Sequence, residues 1–74
     1  MGPLAGLTYR EVTRKLRAAS FVFDRHAKGS HELWRHPVRQ LYVVVVNHTG
    51  DLREGTVRAM LKQAGLTIDE FRRL

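Results

Sequence analysis

Residues 41 to 46, Leu-Tyr-Val-Val-Val-Val, form an unbroken apolar and largely β-branched run. Successive valines lose side-chain freedom against the turn of a helix and pack well on a pleated surface, so a strand over 40–46 is predicted. The run is far too short to span a bilayer. With no polar position to set its parity, alternation does not say which face is buried, and such a strand calls for cover on both sides. That demand falls on a chain of 74 residues without a cysteine. One small core must meet it, with no disulfide framework and no thiolate metal site. A single domain over residues 1–74 is expected, too small for a deep catalytic cavity.

The flanking segments say what covers the strand. Thr8-Tyr9-Arg10-Glu11 has the spacing of a capping box, and Tyr9, Val12, Leu16 and Ala19 follow it as one apolar helical stripe with Arg10, Arg14, Lys15 and Arg17 on the wet side. Ser20 falls in the exit turn. Phe21-Val22-Phe23 begins a strand that runs into Asp24-Arg25-His26, and Gly29 supplies a hairpin turn. In the second strand, Ser30 to His36, alternation puts Glu32, Trp34 and His36 on one face and His31, Leu33 and Arg35 on the other. Beyond the turn-rich Asn47-His48-Thr49-Gly50-Asp51, Val57, Met60, Leu61 and Ala64 make a second amphipathic helix ending at Gly65. Thr67-Ile68-Asp69-Glu70 repeats the capping box and starts a short helix anchored by Phe71. The order is α-β-β-β-α with a short C-terminal helix: an α+β fold in which a three-stranded antiparallel sheet carries both helices on one face.

Thirteen Lys and Arg against seven Asp and Glu leave a net charge of +6, which makes a polyanion the leading partner class. Residues 1–31 hold six basic and two acidic residues, the remainder seven and five. A basic face built from the first helix and the turn before His31 is therefore expected, against the common alternative of a solvated surface. Met1 to Gly6 lacks a basic segment leading into an apolar one, so the expected location is the cytoplasm, with no membrane contact.

Three of the four histidines lie in 26–36. His31 and His36 are five apart, which in a strand sends them to opposite faces, and no Asp, Glu or Cys stands beside them at a ligand spacing. A shared metal is weakly supported. With Trp34 facing the helices, His31 lies on the open face, directly after Lys28, Gly29 and Ser30. Their charge, free amides and hydroxyl suit a phosphate held beside an imidazole, a group that titrates near neutrality. A histidine so placed can move a proton in RNA cleavage. The plainer alternative is a strand-end histidine with no chemical role. Arg25 and Arg35 are further candidates for holding the RNA backbone. His36 is expected to be structural, His26 a solvated turn residue, and His48 a loop residue bonded to backbone.

Lys28-Gly29-Ser30-His31, then Trp34, His36-Pro37, an apolar strand leading to His48, and Gly55-Thr56-Val57-Arg58 with Leu61-Lys62-Gln63-Ala64-Gly65-Leu66 resemble the HicA-type toxins of bacterial toxin–antitoxin pairs. The match holds one register from about Thr8 to Leu74. The resemblance implies a fold like that of double-stranded-RNA-binding domains and a metal-independent, cofactor-free mRNA interferase. It also implies one catalytic histidine, which maps onto His31, and a HicB-type antitoxin that covers it. Two features depart from the family. Val38-Arg39-Gln40 replaces an Asp-Gly type turn, so the second hairpin is expected to be longer or differently shaped. The family's frequent proline in the third strand is missing, which leaves an apolar strand expected to meet another protein or a second copy of itself. Two other functions remain open: a non-catalytic RNA-binding module of the same fold, and a small interaction protein that binds no nucleic acid.

Overall fold

A computed structural model describes residues 2–74. The elements are α1 (Tyr9–Ala18), β1 (Val22–His26), β2 (His31–His36), β3 (Leu41–Val46), α2 (Glu54–Ala64) and α3 (Ile68–Arg72). The α-β-β-β-α order and the antiparallel sheet β1-β2-β3 are those expected from the sequence.

Both capping boxes form. Thr8 Oγ1 accepts from the Glu11 amide at 3.2 Å, and Thr67 Oγ1 accepts from the Glu70 amide at 3.1 Å. α1 and α2 also end alike. The Phe21 amide donates back to Leu16 O and the Leu66 amide to Leu61 O, each across a left-handed residue that reverses the chain. In α2 that residue is Gly65 (φ 71°), whereas in α1 it is Ser20 (φ 74°). The reversal after Ser20 drives Phe21 into the core at 2% exposure.

Cross-strand partners share a face of the sheet. Phe23, Trp34 and Val43 form one rank, His26, Glu32 and Val45 the next, and this side meets the helices through Val12, Leu16, Val57, Met60, Leu61 and Ala64. Trp34 is 1% exposed, with the Arg17 guanidinium stacked 4.9 Å from its ring centre. On the other side, Val22, Arg35 and Tyr42 form one rank and Arg25, Leu33 and Val44 another. That side carries no helix, and Tyr42 is 51% exposed. β3 therefore has cover on one face only. The molecule measures 33 × 27 × 17 Å, and its thin dimension accommodates one helix layer upon one sheet. At β3's free edge the Val44 amide donates to Gln63 Oε1 of α2 at 2.7 Å.

Two details differ from the sequence reading, at Gln40 and His26, and a third, at Leu4, lay outside it. Gln40 is not the first residue of β3: it takes φ 54° and closes a four-residue turn in which its amide donates to His36 O and the Arg39 amide to His36 Nδ1. His36, its ring edge against Phe21, thus holds the altered second hairpin. His26 is the last residue of β1, with its ring against Phe23 at 5.1 Å. Leu4 is fully buried, and the following residues clamp the loop before α2 through Leu52 N to Leu7 O at 2.7 Å.

The core contains one carboxylate. Glu32, 4% exposed, accepts from the Tyr9 hydroxyl at 2.7 Å, Trp34 Nε1 at 3.0 Å and Asn47 Nδ2 at 3.1 Å. Burial alone would raise its pKa, but the three donors outweigh burial and hold it below the ordinary value. Burial, together with the bond to Glu32 and that group's charge, pushes the Tyr9 phenol up to about 12.

Two tests follow from these contacts. Ser20→Gly relieves left-handed strain and should stabilise the fold by roughly 0.5–1 kcal/mol, seen as a melting point a few degrees higher. Glu32→Ala strands buried donors and should cost roughly 2–4 kcal/mol in urea unfolding at neutral pH, with Glu32→Gln costing less. Because the folded-state pKa of Glu32 is depressed, its contribution is complete above the ordinary value of 4.5 and disappears as pH falls through the lower folded-state value. The stability gap between wild type and Glu32→Gln should therefore narrow on acidification, and a gap independent of pH would refute the ionised state.

Candidate active site

The β1–β2 turn runs through Ala27, Lys28, Gly29 and Ser30. The Ala27 amide donates to His31 O at 2.8 Å and the His31 amide to Lys28 O at 3.2 Å. Gly29 takes φ 65°, a left-handed conformation that a Cβ would strain, which explains glycine at that position. With Val44 and His31 these four residues line an open groove of about 520 Å³ at one end of the uncovered sheet face.

His31 is exposed, as expected for the face opposite Trp34. Its ring Nδ1 lies 3.1 Å from Lys28 O. A carbonyl oxygen only accepts, so Nδ1 carries the proton and the neutral ring keeps its lone pair on Nε2. The turn that supplies the charge and hydroxyl thus also sets the tautomer. The lone pair on Nε2 can accept a proton, and the protonated ring can return it.

The turn is tied to the core behind it. The Asn47 amide donates to Ser30 O at 2.8 Å, while the same residue's side chain donates to Glu32. Glu32 and Asn47 therefore position Ser30 without lining the groove. Glu32 was legible only as a member of the helix-facing strand side. Its role as a buried acceptor required knowing that Tyr9 and Asn47 converge on it.

The structure brings Lys28, Gly29, Ser30 and His31 together and leaves Arg25 and Arg35 apart from them. Both arginines lie on the same sheet face and share the Asp24 carboxylate: Arg25 Nη1 contacts Oδ2 at 2.5 Å and Arg35 Nε contacts Oδ1 at 3.4 Å. Their side chains remain 69% and 42% exposed. The expected basic surface of α1 is also reduced. Lys15 donates to Phe71 O at 3.2 Å and Leu74 O at 3.0 Å, and Arg17 is stacked on Trp34. Arg10 and Arg14 stay exposed. Among the described residues, no three His, Asp or Glu side chains come together as a metal-binding group, and no helix is long and apolar enough to cross a membrane.

No curated protein matches the chain. The family model described as the HicA toxin of bacterial toxin–antitoxin systems matches residues 9–66, a span that runs from the first residue of α1 past the end of α2 and includes the whole groove. The chain belongs to the HicA toxin family.

Proposed function

We propose that this toxin is an endoribonuclease that cleaves mRNA with His31 as its proton-transfer residue, without a metal. The observation that carries this reading is an exposed imidazole whose Nδ1 bonds Lys28 O of its own turn, leaving Nε2 as the free ring nitrogen, in a groove that Lys28 and Ser30 also line. Lys28 and the open backbone around Gly29 and Ser30 hold the scissile phosphate. His31 Nε2 takes the proton from the ribose 2′-hydroxyl, or the imidazolium gives one to the departing 5′-oxygen. The 2′-oxygen attacks phosphorus, the bond to the 5′-oxygen breaks, and the products carry a cyclic phosphate and a 5′-hydroxyl. Proton transfer of this kind contributes on the order of 10²–10⁴-fold in rate, enough for a modest nuclease in a shallow site.

Arg25 and Arg35, steadied by Asp24, present positive charge on the same sheet face, outside this groove, and attract the RNA backbone at longer range. A HicB-type antitoxin neutralises the toxin by covering His31. The adjoining uncovered face, with Val22, Leu33, Tyr42 and Val44, offers it apolar area to bury.

His31→Ala should abolish RNA cleavage and growth inhibition while leaving the melting temperature nearly unchanged, since the side chain is exposed. Cleavage should persist in EDTA and stop when the 2′-hydroxyl at the cut site is replaced by hydrogen. A His31→Ala protein that still cuts RNA would overturn the mechanism. Salt-sensitive RNA binding by wild type without product would mark a binding module instead.

A further inference from the structure

The end of the sheet that carries His31 has a second concavity. It encloses about 330 Å³ and is lined by Ser30, Val46, His48, Leu52, Arg53 and Thr56. Ser30 also lines the His31 groove, so the two hollows adjoin across one residue, whose carbonyl is fixed by the Asn47 amide. Their chemistry matches. The first holds His31 and Lys28, the second His48 and Arg53, and Ser30 lines both.

His48 is fixed in the way His31 is. Its Nε2 lies 3.2 Å from Asp51 O, which places the proton on Nε2 and leaves Nδ1 as the free nitrogen of the neutral ring. Arg53 is exposed and, among the described residues, forms no ion pair. The neighbouring acid Glu54 is engaged by Arg58 at 3.5 Å. Four of the chain's other cations are committed elsewhere: Arg25 and Arg35 to Asp24, Lys15 to the Phe71 and Leu74 carbonyls, and Arg17 to Trp34. Lys28 and Arg53 are the basic residues that line the two hollows. In the second hollow, Leu52 and Val46 provide an apolar wall of the kind a ribose or base edge packs against.

We infer that this second hollow is a phosphodiester subsite for the same RNA strand. A single strand crosses the Ser30 ridge with the scissile phosphate beside Lys28 and His31 and a neighbouring phosphate on Arg53, where the Thr56 hydroxyl donates to its oxygens and His48 Nδ1 accepts from a ribose hydroxyl. Two phosphate positions separated by one ridge residue select a continuous single strand, because successive phosphates of one chain can enter both. This assignment rests on the reading that the His31 groove engages RNA, and it adds that substrates shorter than two phosphates lose the second contact.

The test uses full-length protein carrying His31→Ala, so that RNA stays intact, and a fluorescent eight-nucleotide RNA titrated across a salt series. Adding Arg53→Ala should weaken binding about tenfold, one charge-assisted contact's worth, and reduce the slope of log affinity against log salt by about 0.7, one phosphate of a single strand. Arg53→Lys should keep the slope, and Arg73→Ala, just past α3, should leave both quantities unaltered. An Arg53→Ala slope equal to its parent's, or an equal loss in Arg73→Ala, overturns the subsite and leaves the cleavage proposal standing. The expected slope change in a toxin whose wild-type form cuts no RNA would overturn the cleavage chemistry alone. No RNA binding by any form at low salt overturns both.

Discussion

The Glu32 carboxylate is the interaction on which the rest of the structure leans. It is a charge taken out of water in a domain with one small core, and it is tolerated because three donors reach it from three places: Tyr9 on α1, Trp34 two residues along its own strand, and Asn47 just past β3. A buried ion left unpaired is costly, whereas one that accepts hydrogen bonds from every side can hold elements in register. The pairing ties the first helix to the central strand. Through the Asn47 amide and Ser30 O it also reaches the turn that carries His31.

That link braces a shallow groove from behind. The lining residues are nearly all on one exposed hairpin turn, and a turn supported only by its own backbone would be expected to open easily. Here one end is closed by the Ala27 and His31 amides and the other by Asn47, which is itself held by the core. His31 is thus a surface residue whose ring is held locally by Lys28 O and whose platform is braced by a carboxylate buried behind it. The position of the basic groups fits the same division. Those committed to Asp24, to α3 or to Trp34 build the scaffold's surface, while Lys28 and Arg53 stand over hollows.

The one-sided sheet gives the family assignment a physical counterpart. Helices on the Trp34 side bury Val43 and Val45, but Tyr42 and Val44 remain half in water with Val22 and Leu33 near them. A toxin held inactive by a partner must offer something to bury, and this face adjoins the proposed catalytic groove. The Gln63 side chain on the Val44 amide blocks part of β3's free edge, so the apolar character of this strand is expressed through its face more than through its backbone edge.

Most of the architecture was legible because its signals are local. Capping boxes at Thr8 and Thr67, helical stripes of apolar residues, and alternation about Trp34 depend only on near neighbours, and they placed the helices, the strands and the exposed side of His31. What escaped depends on contacts distant in sequence. Nothing near Lys15 shows that it caps α3, nothing near Leu4 shows that it fills the core, and no spacing reveals that Asp24 gathers Arg25 and Arg35. The α-β-β-β-α order and the sidedness of β2 can be read from the amino-acid order alone, since turn chemistry and period-two alternation act over a few residues. Only the tertiary structure decided which cations are free, which carboxylate is buried and which face of the valine strand stays open, because those follow from how the elements meet across the whole chain.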